Sequence, residues 1–520
     1  MDRARMTTDV HTAAFDMNLA SLRLRAAVVA ASDDYFAEKE NLLKSSEAVF
    51  LPLEYTDRGK WMDGWESRRK RSKDYERAHD WAIVRLGVPG VIRAVGVDTA
   101  FFRGNFPSHC SLEGCAAPTD ARPDELAAPE TEWVEILPKS ALRGDAKNAF
   151  TIDSPYAFSH VRLNIFPDGG VARLRVHGNA VPDYRRQAQL HGEVDLAAAD
   201  LGADVVVCSD MFFGERRNLI MPDRALNMGD GWETRRRRGP GSDWAIVSLA
   251  ARGSIERVLV DTHHFKGNFP DSCSIDVCDT PLATADALVG GTHPWRPLLA
   301  PVRLQADARH WFQSELSTDG PVTHARLNVF PDGGVSRLRL YGSVSEADRK
   351  ELGLRRLNTR LPGVAERELV ACAGSGRWAA SVLAARPFGS VAQLYAAADR
   401  AWATTTEADW REAILTHPRI GESPARHDAG PTSAWSRQEQ SHAVGDSAGS
   451  ESKAALAEMN RWYEERFGMR YIVCATGKSA DELVRIAEER LHNDPAMELR
   501  VVAEELHKIT RLRLDNVLKP

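Results

Sequence analysis

Acidic, histidine and arginine side chains that could carry acid–base chemistry occur twice in the first 345 residues. Asp63 and Glu66 flank a tryptophan in a glycine-containing turn, and Asp230 and Glu233 do so again. Carboxylates and imidazoles transfer protons, and arginine binds anionic groups through paired hydrogen bonds. For any single residue, packing or turn capping in a duplicated domain is the more usual role. The other repeated ionisable residues are Asp80, Asp98, His160 and Arg162 in the first set, and Asp243, Asp261, His324 and Arg326 in the second.

The last third of the chain carries three further short motifs, each weak on its own. His417 precedes Pro418 at the end of a predicted helix, where a histidine is more often a cap than a catalyst. Ser436, Glu439 and Gln440 lie three and four residues apart, a spacing that places them on one helix face. The third motif is Arg511-Leu512-Arg513, in the last predicted helix.

The first of these residue sets belongs to a duplicated segment. Asp80-Trp81-Ala82-Ile83-Val84 returns 163 residues later as Asp243-Trp244-Ala245-Ile246-Val247. The same spacing relates the two Gly-Asn-Phe-Pro segments that begin at Gly104 and Gly267. A period near 165 residues is the length of a whole domain, and it is too long for a solenoid unit. The sequence therefore predicts two copies of one domain.

Within each copy, the apolar pattern is that of β-strands. Residues 171–176 and 335–340 alternate apolar with polar side chains, which is typical of an antiparallel sandwich with one solvated face. Asp168-Gly169-Gly170 and its second copy, Asp332-Gly333-Gly334, supply glycines for the positive φ angles of a hairpin turn. Two β-sandwiches of the jelly-roll type are therefore predicted. The segments expected to be surface loops, rich in proline and alanine, are residues 116–130 and 279–300.

From about residue 357 onward, the apolar period becomes that of helices. An apolar stripe begins at Val391 and continues at spacings of three, four and seven residues. Ser479 followed by Glu482 indicates a capping box. Residues 421–450, rich in Gly, Ser, Pro and Asp, are expected to form a long loop. The predicted fold class is multidomain: two all-β jelly-roll sandwich domains in an internal repeat, followed by an all-α bundle of six to eight helices.

Composition excludes several functional classes. The 520 residues carry 67 Lys and Arg against 73 Asp and Glu, a net charge of −6 that gives no support for a nucleic-acid partner. No apolar run approaches the roughly 18 residues that a membrane helix needs, so no membrane association is expected. The start of the chain does not read as a signal peptide, and seven cysteines, an odd count, argue against a disulfide scaffold. A cytoplasmic protein is expected, and it is expected to form a homo-oligomer.

Several segments of the duplicated region closely resemble the allantoicase family. They are residues 32–43, residues 56–69 and the two Gly-Asn-Phe-Pro segments, and the resemblance covers about residues 18–345. It implies a pair of jelly-roll domains, which agrees with the strand pattern. It also implies hydrolysis of allantoate to ureidoglycolate and urea. Such a reaction needs an arginine for the substrate carboxylate, an acid that protonates the leaving urea, and a base that activates water or assists elimination.

The resemblance leaves open which copy holds the hydrolytic site. His263-His264 in the second copy correspond to Ala100-Phe101 in the first, so only the second copy is complete if that histidine is catalytic. One site per chain is then expected. A divalent metal is compatible with these residue types, but no tight His/Asp spacing requires one. The candidate residues for this activity are Asp63, Glu66, Asp230, Glu233, His264, His324 and Arg326.

The helical region resembles the 2-oxo-4-hydroxy-4-carboxy-5-ureidoimidazoline (OHCU) decarboxylase family. The resemblance rests on Leu357-Asn358 and Leu361-Pro362, residues 372–379 and Arg386-Pro387-Phe388, and it covers about residues 355–518. Decarboxylation of this substrate leaves an electron pair beside a C=N group, so the substrate is its own electron sink. No cofactor is therefore expected for this domain.

This second resemblance assigns roles to the motifs of the last third. His417 is the expected catalytic acid or base, and Glu439 is expected to fix its tautomer or to bind the ring hydroxyl. Arg513 is the expected arginine of the site, in the role of holding a carbonyl, with Arg511 as the alternative register. The residues that resemble the substrate cradle are Pro418, Ser436, Arg437, Gln438, Gln440, Tyr471, Ile472, Val473, Cys474 and Ala475.

Together the two resemblances predict a bifunctional enzyme of ureide catabolism that acts on small-molecule substrates. The alternative is a decarboxylase tethered to a non-catalytic, carbohydrate-binding jelly-roll pair, because jelly-roll pairs often bind sugars. A binding pair would show a shallow aromatic rim and no acid–base set. The predicted segments are an N-terminal tail (1–17), repeat 1 (18–182), repeat 2 (183–345), a linker (346–356) and the decarboxylase domain (357–520).

Overall fold

A computed structural model describes residues 17–71, 78–182, 192–281, 283–291, 293–317, 320–420, 435 and 450–519. The chain divides into two compact units between Asp348 and Arg349. The predicted N-terminal tail lies outside the described residues, apart from Met17. In the part of the chain that the structure describes, no helix has both the length and the hydropathy that crossing a membrane requires.

The first repeat is an antiparallel sandwich. Its main sheet has the order β1-β12-β6-β10-β7-β8, with β2 and β9 also paired to β6, while β5 pairs with β11 and β3 with β4. The strands are β1 (Met17–Asn18), β2 (Ala27–Ala31), β3 (Tyr55–Thr56), β4 (Gly59–Lys60), β5 (Trp65–Glu66), β6 (Asp80–Asp98), β7 (His109–Cys115), β8 (Val134–Ala141), β9 (Lys147–Thr151), β10 (Ala157–Phe166), β11 (Gly170–Val171) and β12 (Arg173–Ala180).

The second repeat has the same topology. Its main sheet has the order β13-β22-β16-β20-β17-β18, with β14 and β19 also paired to β16, and β15 pairs with β21. The predicted duplication and the predicted all-β class of this region are therefore confirmed. The strands are β13 (Val194–Asp195), β14 (Asp204–Cys208), β15 (Trp232–Glu233), β16 (Asp243–Asp261), β17 (Ser272–Cys278), β18 (Arg296–Arg303), β19 (Arg309–Phe312), β20 (Val322–Phe330), β21 (Gly334–Val335) and β22 (Arg337–Ser343).

A fully buried tryptophan anchors each sandwich end where the acidic motifs lie. Trp65 and Trp232 are 0% exposed, and each indole Nε1 donates a 2.8 Å hydrogen bond to a backbone carbonyl, that of Asp33 or Asp210. Large buried rings contribute much of a core's stability, and a buried indole N–H needs such a partner. The Asp-Gly-Trp-Glu motif therefore has a structural centre, and its acidic residues are placed around it.

The Asp-Gly-Gly turns differ from the predicted hairpin. Only the first glycine of each pair has a positive φ, 131° at Gly169 and 134° at Gly333. The second glycine is needed for packing, because a Cβ at Gly170 would lie 2.0 Å from the ring of Phe102. The segment also does not close a two-residue hairpin, since it leads from β10 into the short strand β11 across the sandwich end. A turn with two positive φ angles was therefore the wrong prediction.

The two segments predicted as surface loops also contain regular structure. Helix α1 (Pro123–Ala127) lies in the first, and helix α2 (Ala285–Val289) and the start of β18 lie in the second. Each helix packs beneath a tryptophan whose Nε1 donates to a helix carbonyl, from Trp133 to Leu126 and from Trp295 to Leu288. Helices of five residues are too short to show an apolar period in sequence.

One arginine of the first repeat reaches into the second. Arg23 donates to Asn218 Oδ1 at 2.5 Å and pairs with Asp230 Oδ1 at 2.6 Å. The position that corresponds to Arg23 in the second repeat is occupied by Asp200, so the same contact cannot be formed there. The two sandwiches are therefore joined by an asymmetric contact within one compact unit.

The second unit is all-α, as predicted, with eight α-helices among its described residues. The predicted linker 346–356 is helical and forms most of the first of them. The predicted capping box is confirmed, because Ser479 Oγ accepts from Glu482 N and the Glu482 carboxylate accepts from Ser479 N. The helices are α3 (Glu346–Thr359), α4 (Pro362–Ala373), α5 (Gly376–Ala384), α6 (Val391–Ala403), α7 (Glu407–Thr416), α8 (Ser450–Phe467), α9 (Ala480–Arg490) and α10 (Pro495–Val517).

Candidate functional site

His417 is the C-terminal cap of α7 and is buried, with 3% of its surface exposed. Its Nδ1 lies 2.8 Å from the carbonyl oxygen of Ala413, and its Nε2 lies 3.1 Å from Nη1 of Arg513 on α10. A carbonyl accepts and a guanidinium donates, so Nδ1 carries the proton and Nε2 presents a lone pair. The fold therefore selects one tautomer of His417 through a backbone group.

The surroundings of His417 favour its neutral form. Burial and the nearby guanidinium of Arg513 lower the pKa of His417 to about 3. Arg470, which donates to the backbone carbonyl of His417 at 2.6 Å, acts in the same direction. At neutral pH the pocket thus holds a neutral imidazole beside a buried cation. An anionic ligand bound against Arg513 would offset that charge and make protonation of His417 easier.

The backbone segment 471–475 forms the facing wall of this pocket. The pocket is lined by His417, Pro418 and Arg513 together with Tyr471 to Ala475. Side chains hold this wall from outside: Glu505 accepts from Cys474 N, and Arg490 donates to the Ile472 carbonyl, both at 2.8 Å. The hydroxyl of Tyr471 donates to the Leu483 carbonyl, so this side chain supports the wall. The structure therefore brings eight of the sequence-predicted residues together.

The two arginines of the last helix face different surroundings. Arg513 is 1% exposed and contacts His417, whereas Arg511 pairs with Asp399 at 2.6 Å and lies 4.6 Å above the ring of Tyr395 on the outer face. Arg513 is therefore the arginine that the pocket contains. The remaining predicted residues of this site, Ser436, Arg437, Gln438, Glu439 and Gln440, lie outside the described residues.

In the sandwich pair, the repeated aspartates of the Asp-Gly-Trp-Glu motif form buried ion pairs. Asp63 Oδ2 lies 2.7 Å from Arg173 Nη2, and Asp230 Oδ2 lies 3.0 Å from Arg337 Nη2. Each has a second cation on Oδ1, which is Lys44 for Asp63 and the first repeat's Arg23 for Asp230. Carboxylates engaged on both oxygens are poor proton carriers, so these two positions hold loops together.

The repeated glutamates lie at the sandwich ends and each meets an asparagine. Glu66 Oε1 accepts from Asn105 Nδ2 at 2.7 Å, and Glu233 Oε1 accepts from Asn268 Nδ2 at 2.5 Å. Burial raises the pKa of Glu66 above its ordinary value, although the hydrogen bond from Asn105 opposes this. Both asparagines belong to the Gly-Asn-Phe-Pro segments. That repeated motif was the sequence signal from which the asparagines could have been assigned to the site.

His264, His324 and Arg326 are not one cluster. His264 lies in the loop after β16, where its Nε2 is 3.0 Å from the Ala225 carbonyl. Arg326 pairs with Asp276 at 2.8 Å on the sheet. It lies four residues before the end of β20, which is roughly 13 Å along the strand from the sandwich end. His324 is further along the same strand and buried. The structure therefore separates these two residues from the loop that carries His264 and from Glu233 at the end of β15.

Two buried histidines make the sandwich pair sensitive to acid. Burial lowers the pKa of His160 to about 4, and burial likewise lowers the pKa of His324 to about 4. The pKa of a histidine in the unfolded chain is near 6.5. Between pH 6.5 and 4 only the unfolded chain therefore takes up these protons, so the free energy of unfolding decreases as the pH is lowered. At pH 5 we expect each buried histidine to lower the free energy of unfolding by about 2 kcal/mol. Denaturant unfolding at pH 5 and 7.5 should show a smaller pH dependence for His324→Asn, and an unchanged dependence would contradict this assignment.

Comparison with known proteins identifies both parts of the chain. The family model described as Allantoicase repeat matches residues 17–181 and 194–345, which is more than half of the chain. The chain belongs to the allantoicase family. Its helical unit matches the OHCU decarboxylase family over residues 362–515. The chain is therefore a bifunctional enzyme of purine degradation, with a hydrolase and a carboxy-lyase part, and a carbohydrate-binding jelly-roll pair is not favoured.

Individual relatives cover the allantoicase part almost completely. A probable allantoicase of Burkholderia mallei is 48% identical over 330 residues, which are 64% of this chain and 95% of the relative. The solved allantoicase of Saccharomyces cerevisiae is 32% identical, with a TM-score of 0.52 over 63% of this chain and 92% of its own. A solved OHCU decarboxylase is 32% identical over 30% of this chain and 99% of its own, with a TM-score of 0.26.

Within the described residues of this chain, no group of three or more His, Cys, Asp or Glu side chains is arranged to hold a metal ion. All seven cysteines are free, and five of them are buried. Burial raises the pKa of Cys110, Cys115 and Cys273 to about 12, so these are packed, unreactive thiols.

Proposed function

We propose that the sandwich pair hydrolyses allantoate to ureidoglycolate and urea, and that the helical domain decarboxylates OHCU to (S)-allantoin. The observation that carries the second activity is the buried contact between His417 and Arg513, enclosed by the backbone of Tyr471 to Ala475. Such a pocket offers one proton carrier and one fixed cation to a flat, anionic ring. No cofactor is needed, because the substrate accepts its own electron pair.

The proposed decarboxylation proceeds in three steps. The C–C bond to the carboxylate breaks, CO₂ leaves, and the electron pair passes into the adjacent C=N group, whose nitrogen takes a proton from solvent. Nε2 of His417 then takes the proton of the ring hydroxyl, which becomes a carbonyl. His417 returns this proton to the neighbouring ring carbon. Because the imidazole is held on one side of the pocket, one face of the ring is protonated and one enantiomer results.

The roles of the two charged residues follow from the same geometry. Arg513 would bind a ring carbonyl or the developing enolate oxygen, since an arginine that held the carboxylate tightly would stabilise the ground state and slow its loss. The tautomer of His417 is already set by Ala413, so Glu439 is left with the proposed role of binding the ring hydroxyl. We also keep Pro418 and residues 436–438 and 440 as proposed substrate contacts.

The full chain tests both activities in one preparation. With allantoate, we expect stoichiometric release of urea, and with freshly prepared OHCU we expect optically active allantoin. Circular dichroism and denaturant unfolding of the same preparation would show that both units are folded. Absence of urea from a preparation that decarboxylates OHCU would contradict the hydrolase assignment, and racemic allantoin from a preparation that releases urea would contradict the decarboxylase assignment.

Two further properties remain proposals. A cytoplasmic location is supported by the free state of all seven cysteines, because disulfides are rare in reducing compartments. A homo-oligomer and a divalent metal in the hydrolase part remain predictions from the sequence, and sedimentation and metal analysis of the purified chain would test them.

A further inference from the structure

Two neighbouring histidines of repeat 2 share one carboxylate. His263 and His264 follow β16, and their ring centroids lie 3.8 Å apart. Asp307 Oδ1 lies 2.9 Å from Nδ1 of His263 and accepts the backbone N–H of His264 at 2.7 Å. His264 adopts a left-handed backbone, with φ of 71°, which this hydrogen bond supports. A carboxylate, two imidazoles and a fixed loop therefore form one group, the His-His-Asp cluster.

The first repeat keeps the backbone of this cluster but not its imidazoles. Phe101 has nearly the same φ, 67°, and its N–H is bound at 2.8 Å by Asp145, the counterpart of Asp307. The position of His263 is Ala100, and the ring of Phe101 stacks on Phe50 at 5.7 Å. The aspartate is thus explained in both repeats as a cap for the loop, whereas the imidazoles of repeat 2 are not needed for this loop conformation.

Each imidazole has one nitrogen fixed by a protein oxygen. Nδ1 of His263 faces Asp307, and Nε2 of His264 faces the carbonyl of Ala225 at 3.0 Å. When these nitrogens carry the protons, Nε2 of His263 and Nδ1 of His264 present lone pairs. Asp307 also compensates the charge that His263 carries once it is protonated, as in other His–Asp pairs. His263 is therefore suited to give a proton and His264 to take one.

A cation and an amide lie close to the cluster. Asp261 accepts the backbone N–H of His263 on Oδ1, and its Oδ2 lies 3.5 Å from Nε of Arg309, whose side chain is 44% exposed. The loop that carries Ala225 continues to Met228, which contacts Asn268, the partner of Glu233. One end of repeat 2 thus places a half-exposed guanidinium beside the turn that carries the two imidazoles, and a Glu–Asn pair beside the loop that His264 contacts.

We propose that the His-His-Asp cluster of repeat 2 is the proton-transfer centre of the allantoate reaction, with Arg309 as the partner of the substrate carboxylate. This proposal rests on the function proposed above. His264 takes the N–H proton of the retained ureido group, whose electron pair forms C=N. The C–N bond to the other ureido group breaks, its pair leaves with that nitrogen, and His263 protonates it to give urea. Water then adds to C=N: its oxygen bonds to carbon and its proton passes to nitrogen, while His264 returns its proton to His263.

The test replaces the two histidines of repeat 2 by the residues that stand at the same positions in repeat 1. In the full chain, His263→Ala and His264→Phe should each lower kcat/KM for allantoate at least tenfold, and the double variant should lower it at least about 100-fold, the usual contribution of positioned acid–base groups. Added imidazole should restore part of the activity of His263→Ala, which a purely structural loss would not allow. A single variant with wild-type kcat, or a double variant within threefold of the wild type, would overturn the proposal.

Asp307 acts through His263 and is a positioning residue, for which the first repeat offers a matched control. Asp307→Asn keeps an oxygen for the backbone N–H of His264, and Asp145→Asn does the same for Phe101. We expect Asp307→Asn to lower kcat at least tenfold with KM little changed, and Asp145→Asn to change neither. Equal effects of the two variants would overturn the role of Asp307. All variants should decarboxylate OHCU normally, and a wild-type chain that releases no urea would instead contradict the proposed function.

Discussion

Replacing His417 by Asn is expected to lower kcat for OHCU decarboxylation at least about 100-fold and to abolish the optical activity of the product. An Asn amide can still donate to the Ala413 carbonyl, as Nδ1 of His417 does at 2.8 Å, so the end of α7 should be preserved. What is lost is Nε2, the only atom of this side chain that faces Arg513. Stopped-flow absorbance would give the rate, and circular dichroism would give the enantiomeric composition of the allantoin.

A second histidine of the same domain provides the control for this substitution. His492 is exposed and makes the same local contact, from Nδ1 to the carbonyl of the residue four positions earlier, Glu488, at 3.0 Å. His492→Asn should therefore leave both rate and optical activity unchanged. Allantoate hydrolysis by His417→Asn shows that the sandwich pair of the same preparation is active, and the circular dichroism of the protein shows whether the helical unit is folded. If His417→Asn keeps more than a third of the wild-type kcat, the imidazole is only a helix cap.

The position of His417 could be predicted from sequence because its signals are local. A histidine before a proline marks the end of a helix, and the residues around it resemble a known family. The resemblance favoured Arg513 over Arg511, but the local helical pattern does not explain that choice. Two positions apart on a helix, they point about 200° from each other, and only the packing of α10 against α7 decides which one is buried. The local pattern predicted the helix, and the tertiary contact with His417 showed which of its arginines lines the pocket.

The sandwich pair shows the same limit more strongly. The sequence placed the repeated Asp-Gly-Trp-Glu motif in a turn and made its aspartates candidates for catalysis. In the structure, Asp63 and Asp230 are ion-paired with arginines about 110 residues away in sequence. Asp307, which organises the two histidines, lies 43 residues from His264 and has no motif of its own. Repetition marks residues that a domain keeps for its fold as well as residues it keeps for chemistry. The proposed proton-transfer centre rests instead on a difference between the copies.

Replacing Asp63 by Asn should therefore destabilise the sandwich pair by about 3 kcal/mol or more, because it leaves the guanidinium of Arg173 buried without its counter-charge. Arg173 is 2% exposed, and its Nη1 also donates to the Asp63 carbonyl, so the arginine cannot move into solvent without breaking the loop. Denaturant unfolding of the full chain would measure this loss. At temperatures where the variant stays folded, kcat for allantoate should be unchanged, since neither oxygen of Asp63 is open to a substrate.

A surface ion pair provides the control for the stability loss expected in Asp63→Asn. Asp271 lies 3.1 Å from Arg303, but the two side chains are 57% and 85% exposed, so Asp271→Asn should cost well under 1 kcal/mol. Asp230→Asn should resemble Asp63→Asn in size and should also loosen the contact between the repeats, because Asp230 binds Arg23 as well as Arg337. A loss of kcat in fully folded Asp63→Asn or Asp230→Asn would return these aspartates to the catalytic set. Unchanged kcat with reduced stability leaves the chemistry to the imidazoles and carboxylate of repeat 2.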